Sequence, residues 1–308
     1  MGSLPLGTGK ALARPDLVGI GAAVLGAALF GTKPVFIKLA YADGTGALTL
    51  LFWRMAFALP AYLVIGGLEL HKRRRGGGLP GQRIVLLAAL NGLLGYYVAS
   101  LLDFTGLEHV TAQLERLILF TYPFWVVILG TLFFGQKLRA VTFPAFAVAY
   151  AGLGLIFWRA MGTTRGADLV AGSILVLGAA FAFALAQLFG RGLIVRIGAG
   201  LYTSIAMTAA GLGVVAHVLL AQPFADLAVS GHVLALAFCL AVVSTILPSY
   251  IQNFALGRIG ADGAAMAGNA GPVFTILLGV WLLAEPFGPF EALGTLLVIG
   301  GVALFTRR

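Results

Sequence analysis

Charge and cysteine are what this sequence has least of. Only 10% of its 308 residues are Asp, Glu, Lys or Arg, while 60% are hydrophobic; a soluble domain carries about 25% charged residues. Water is therefore excluded as the chain's main solvent. The one cysteine, Cys239, lies inside an apolar run, so neither a disulfide framework nor a cysteine-rich metal centre is available. Catalytic signatures are missing as well: His-Glu-x-x-His, a paired-aspartate motif, Gly-x-Ser-x-Gly and a Walker A loop are all absent. The Gly76–Gly78 stretch follows Arg75 and lacks the Lys-Ser/Thr ending of a phosphate loop, so it reads as a linker. No enzyme activity, cofactor or metal is expected. Residues Met1 to Pro15 show no short apolar core with a small-residue cleavage site, so they do not read as a signal peptide.

What is present is a series of long apolar runs. A bilayer core of roughly 30 Å takes about 20 apolar residues per helix. Runs of that length, divided by Gly, Pro and charge, predict ten transmembrane helices near 17–40, 47–69, 84–105, 110–134, 139–158, 169–190, 200–221, 232–255, 262–284 and 288–306. Between the third and fourth only Gly106, Leu107, Glu108 and His109 mark a turn, but fusing the two would make one helix far too long. The net charge of +9 does not indicate nucleic acid, because the basic residues sit mainly in short inter-helix segments. One set of alternate segments holds fourteen of them, Lys10, Arg14, Lys72, Arg73, Arg74, Arg75, Arg83, Lys137, Arg139, Arg191, Arg196, Arg258, Arg307 and Arg308; the other holds three, Lys38, Arg159 and Arg165. The positive-inside rule then places both termini in the cytoplasm. The run His71 to Arg75 suffices to fix that orientation and also suits anionic lipid.

The chain resembles itself. At a spacing of 152 residues, Asp16-Leu17-Val18 matches Asp168-Leu169-Val170, and Val24-Leu25-Gly26-Ala27-Ala28 matches Val176-Leu177-Gly178-Ala179-Ala180. At a spacing of 149, Ala112, Pro123, Leu129, Gly130, Gly152 and Leu155 match Ala261, Pro272, Leu278, Gly279, Gly301 and Leu304. A matched Pro and Gly have backbone consequences that shared Leu and Ala do not. The expected organisation is an N-terminal cytoplasmic tail, 1–15, followed by two five-helix repeats, 16–160 and 161–308. Five is odd, so the second repeat must enter the membrane from the opposite side. Inverted repeats are the architecture of alternating access in secondary transporters, and a single chain with such repeats fits a carrier better than a channel.

Several motifs carry a further resemblance: Phe30-Gly31-Thr32-Lys33-Pro34, Phe52-Trp53-Arg54, Tyr122-Pro123-Phe124, Gly271-Pro272-Val273-Phe274 and the closing Trp281-Leu282-Leu283-Ala284-Glu285-Pro286. With these, essentially the whole chain resembles the ten-helix EamA-type members of the drug/metabolite transporter superfamily, among them aromatic amino acid exporters of the YddG type. The chain departs from the family pattern at Gln136, where the first repeat usually ends in Glu. The resemblance implies export of amino acids and other small metabolites across the bacterial inner membrane. Other members of the superfamily carry cationic drugs, and the fold alone does not choose between the two. The expected partners are the small-molecule substrate, the lipid bilayer and a coupling proton, and the chain is expected to act as a monomer.

Matched Pro-interrupted helices are the best sequence pointer to a midplane site. Pro123 and Pro272 are therefore candidate helix breaks or gates, although each could equally kink its helix for packing. Ionisable groups in the hydrocarbon region cost roughly 2.5–3.5 kcal/mol each, so Lys33, Arg54, Asp103, Glu115 and Arg116 each need a partner or a task. A zwitterion needs a cation for its carboxylate, a part for Lys33 or Arg54, and acceptors for its ammonium, a part for Glu115 or Asp103. Glu115 and Arg116 are neighbours on one helix, about 100° apart in azimuth, so they must point in different directions. Asp103 reaches Arg116 only if its helix pair is tight. Tyr97, Ser100, Gln113, Tyr122, Ser244, Tyr250 and Asn269 are candidates to orient the substrate, and each is also an ordinary interhelical hydrogen-bonding residue. For a coupling proton the candidates are Glu115, Asp103 and His217; a lone His in an apolar helix is also commonly a packed, hydrogen-bonded residue.

Overall fold

A computed structural model describes residues 16–76, 78–135, 140–162, 166–252, 254–255, 258–259 and 270–306. The apolar runs form helices: α1 (Leu17–Ala42), α2 (Ala47–Gly76), α3 (Gln82–Leu107), α4 (Ala112–Leu119 and Tyr122–Phe134), α5 (Thr142–Met161), α6 (Gly166–Ile197), α7 (Ala199–Ala221), α8 (Gly231–Gln252), α9 (Ala270–Leu283) and α10 (Pro289–Thr306). Among the described residues, eight helices are long and apolar enough to cross a membrane, and α9 and α10 are shorter apolar helices. Large apolar side chains such as Leu220 (89% exposed) and Trp281 (80%) cover the outside, a surface that suits hydrocarbon rather than water.

Local chemistry sets the boundaries. Asp16, Thr111 and Ser230 accept the N–H groups of Gly19, Leu114 and Val233 and so start α1, α4 and α8. Gly135 ends α4 in the left-handed region, φ 63°, which glycine enters without a Cβ penalty. Several expected boundaries move. α2 continues to Gly76 and α6 to Ile197, so His71–Arg75, Arg191 and Arg196 lie on helices rather than in loops. The break between α3 and α4 falls as expected, between Leu107 and Ala112. The expected ninth helix begins at 262, but residues 260–269 lie outside the described residues.

Besides α4, which falls into two segments, three of the described helices are not continuous in the α-helical sense. α1 stops at Gly31 and resumes at Lys33, with Pro34 in the first turn of the new segment. Pro34 has no N–H to donate to the preceding turn, and its ring obstructs a continuous helix; the expected helix over 17–40 carries no such break. α3 widens into a π-helical turn over Leu93–Val98, and α8 does so over Val242–Ile246. The two turns begin 149 residues apart, the spacing already seen between Pro123 and Pro272.

Small residues bring the helices together. A Cβ at Gly92 of α3 would overlap the Ala206 backbone of α7. Gly152 of α5 faces the Gly294 carbonyl of α10, and Gly301 of α10 faces Ala145 and Ala149. Close backbone approach of this kind is how helices gain packing energy in lipid, where apolar burial is no driving force. One core cluster joins α1, α2, α3, α7 and α8 through Ile37, Leu50, Met55, Phe104, Val214 and Leu240. A second joins α4, α5, α6, α9 and α10 through Leu117, Ile156, Val176, Ile276 and Val298.

The bundle has two distinct ends. At one, the Glu108 carboxylate accepts the Ala47 N–H at 2.8 Å, and His232 pairs with Asp43 at 2.6 Å. At the other, Arg258 pairs with Asp16 at 2.7 Å, and Arg73 donates to the Ile197 carbonyl, the last of α6, at 2.7 Å. These are called the carboxylate end and the arginine end below.

Candidate functional site

Lys33 is the first residue after the α1 break. Its Nζ donates to Asp103 Oδ2 of α3 at 2.5 Å and lies 3.7 Å from Glu115 Oε1 of α4. Asp103 is 2% exposed and Glu115 0%. Three helices therefore deliver two buried carboxylates and one ammonium to a single point. Asp103 Oδ1 and both Glu115 oxygens receive no hydrogen bond from any N–H or hydroxyl group, and the two carboxyl groups lie within hydrogen-bonding reach of each other, so acceptors outnumber donors. A cluster with spare acceptors in a low-dielectric interior is poised to take a further donor.

Two arginines flank it. The Arg54 guanidinium of α2 lies 4.9 Å above the Phe104 ring, beside Asp103, and donates to Ser100 Oγ at 3.1 Å, leaving its Nε without a partner. Arg116 passes over Gly271 of α9, where a Cβ would come within 2.9 Å of its Nη2. Glu115 and Arg116 do diverge, as adjacent helical positions must. Asp103 bonds Lys33, the pairing with Arg116 having been open only to a tight helix pair: the α1 break carries Lys33 between α3 and α4.

Hydroxyl groups satisfy the break itself. Thr32 Oγ donates to the Leu29 carbonyl and shares a 2.6 Å bond with Ser244 Oγ in the π turn of α8. Thr275 of α9 donates to the Gly31 carbonyl at 2.7 Å, with a second contact to the Gly271 carbonyl at 3.2 Å. α4 breaks between Leu119 and Tyr122. Pro123 lies in the first turn of the resumed segment, so it restarts a helix rather than kinking a continuous one. Pro272 is buried near the start of the described part of α9.

Other residues singled out from the sequence lie elsewhere. Tyr97 Oη bonds His217 Nδ1 of α7 at 2.9 Å, so those two satisfy each other. Gln113 sits at the carboxylate end, its side chain reaching the Pro286 carbonyl at 3.4 Å. Tyr122 packs edge-on against Phe183 at 5.1 Å, and Tyr250 lies towards Ser204 and Glu69, nearer the arginine end. Asn269 lies outside the described residues. Sequence reasoning missed Thr32 and Thr275, although Pro34 was a visible signal for the break. It also missed the task of Glu285, whose oxygens accept the Ala112 and Gln113 N–H groups at 2.6 and 3.1 Å. This loop carboxylate caps α4 from 173 residues away, and no local pattern announces it.

Broken apolar helices around buried charge characterise membrane carriers. A profile of the EamA-like transporter family matches the chain twice, over residues 17–158 and 170–307. The chain belongs to the EamA-like transporter family. It is thus a multi-pass membrane protein of the drug/metabolite transporter superfamily. Among its relatives is the uncharacterized transporter YcbK of Bacillus subtilis (strain 168), 29% identical over 287 residues that span 88% of this chain and 87% of that protein. A crystal structure at 18% identity superposes with a TM-score of 0.64, covering 93% of this chain and 97% of the other; at that identity the likeness concerns the fold alone.

Proposed function

We propose that this EamA-like protein is a secondary-active exporter of amino acids, aromatic or of broad range, and related small metabolites, working by alternating access in a bacterial inner membrane. The observation that carries this reading is the buried Lys33–Asp103–Glu115 cluster at the α1 break, with Arg54 and Arg116 beside it. It offers acceptors for a substrate ammonium and cations for a substrate carboxylate, the two demands of a zwitterion. The acceptor surplus also suits a coupling proton.

The architecture proposed is ten membrane spans in two inverted repeats, 16–160 and 161–308, with the arginine end in the cytoplasm. Support comes from the double family match, from the 149-residue offset shared by the prolines and the π turns, and from the asymmetry of the basic residues. The two repeats would rock about the broken helices, exposing the cluster to one end and then the other.

The test is uptake and counterflow of labelled aromatic, aliphatic and basic amino acids in liposomes holding the purified protein, with and without a pH gradient. Saturable, counter-substrate-stimulated flux is expected. No flux for any amino acid would sink the amino acid reading and bring cationic drugs forward.

A further inference from the structure

The cluster already contains an ammonium group. Lys33 Nζ fills the position between Asp103 and Glu115 that the proposed reading assigns to the ammonium of the substrate. Resting on that reading, we propose that Lys33 sets the selectivity of the site: in the empty carrier it occupies the carboxylate pair, and only a ligand that brings its own carboxylate displaces it.

Three observations support this. The first is mobility. The Asp103 and Glu115 side chains are 3% and 0% exposed, while the Lys33 side chain retains 16%. Lysine is also a compact charge on a flexible four-carbon stem, so Lys33 is the member of the cluster that can move. The second is unfilled bonding capacity. Asp103 Oδ1, Glu115 Oε1 and Glu115 Oε2 are buried and no N–H or hydroxyl group donates to them, the two carboxyl groups having only each other within reach, so the pair can hold an ammonium better than Lys33 now fills it. The third is charge. Lys33, Arg54 and Arg116 supply three positive charges, and Asp103 and Glu115 at most two negative ones. A bare cation entering that field meets a surplus of its own sign, and the displaced Lys33 is left without a counter-ion in a low-dielectric site. A zwitterion adds no net charge, and its carboxylate receives the displaced Lys33. Lys33 is in this sense a specificity-determining residue, separating amino acids from simple amines on one scaffold.

The experiment compares phenylalanine with its decarboxylated analogue, phenethylamine, as competitors of labelled substrate in liposomes carrying wild-type, Lys33→Gln or Lys33→Arg protein. Removing an ion pair that competes for the site should raise phenethylamine affinity roughly tenfold or more in Lys33→Gln, while phenylalanine affinity falls. Lys33→Arg should keep the wild-type preference. A purely structural Lys33 would lower both affinities together in Lys33→Gln, and that result overturns the proposal. Wild-type protein allows the same test if the glutamine variant does not fold: acetate supplies the missing carboxylate, so phenethylamine should compete better in acetate than in chloride, and equal competition in both salts overturns the proposal. Failure of the amino acid reading is separately visible, as wild-type protein that exchanges no amino acid while Lys33→Gln still gains phenethylamine.

Discussion

Glu115 carries two carboxyl oxygens into the interior, and no N–H or hydroxyl group donates to either of them. Lys33 stands 3.7 Å away, close enough for attraction but too far for a bond. A proton on Glu115 would turn one of those oxygens into a donor and ease the crowding of acceptors around Lys33. If the carrier couples to protons there, Glu115→Gln, which keeps the shape and removes the titration, should abolish the dependence of flux on a pH gradient. Transport measured with and without that gradient decides the matter: unchanged dependence removes Glu115 as the coupling group. At the same scale, Thr275→Val leaves the Gly31 carbonyl at the α1 break without its 2.7 Å donor. An orphaned buried carbonyl costs about 1–3 kcal/mol, so the variant should melt earlier in detergent. An unchanged midpoint would mean that the break has another source of satisfaction.

Helix contacts obey a simpler logic. Gly92 lies so close to the Ala206 backbone that a Cβ has no room. Since backbone cannot rotate aside as a side chain can, Gly92→Ala should force α3 and α7 apart and destabilise the protein by about 1–3 kcal/mol, read as a fall in thermal midpoint. Asp16 at the start of α1 behaves differently because it is exposed. The hydrogen bond from Arg258, with that from the Gly19 N–H, holds its carboxyl below the ordinary carboxylate range against the opposing effect of desolvation. The folded protein thus gives up this proton at lower pH than the unfolded chain does. The stabilisation is complete above the unfolded value, about 3.9, and is lost as pH falls through the folded one. Asp16→Asn should lower the thermal midpoint at neutral pH, with the gap to wild type closing in acid; a gap that stays constant with pH would exclude this ion pair as its cause.

For the molecule as a whole, Glu285 has the widest reach. It follows α9 and caps α4, tying the end of one half of the chain to a helix of the other at the carboxylate end. The alternating access proposed for this chain would require the tie to part. Glu285→Ala removes acceptors from two N–H groups at a helix N-terminus, where caps and negative charge each contribute about 1 kcal/mol. A cysteine placed at Gln113 in a Cys239→Ala background should then react faster with a membrane-impermeant maleimide. Equal reactivity would show that the tie does not hold this end closed.

Composition and period determined a good deal without tertiary help. Sixty per cent apolar residues in runs near bilayer thickness can only become membrane helices, and the family motifs were legible because each lies within a few consecutive residues. The charged candidates Lys33, Arg54, Asp103, Glu115 and Arg116 were also legible, because a charge inside an apolar run is conspicuous in one dimension. Their pairing was not. Lys33 and Asp103 are 70 residues apart, and the sequence pointed Asp103 only towards Arg116, until the Thr32–Pro34 break set the path of α1. Tertiary structure likewise decided that Tyr97 is spent on His217 and that Glu285 caps α4. Each of these depends on which faces of separate helices meet, and a helix that is apolar on every side does not encode its own azimuth. Packing at Gly92, Gly152 and Gly301 chooses that azimuth, and with it which buried charges meet.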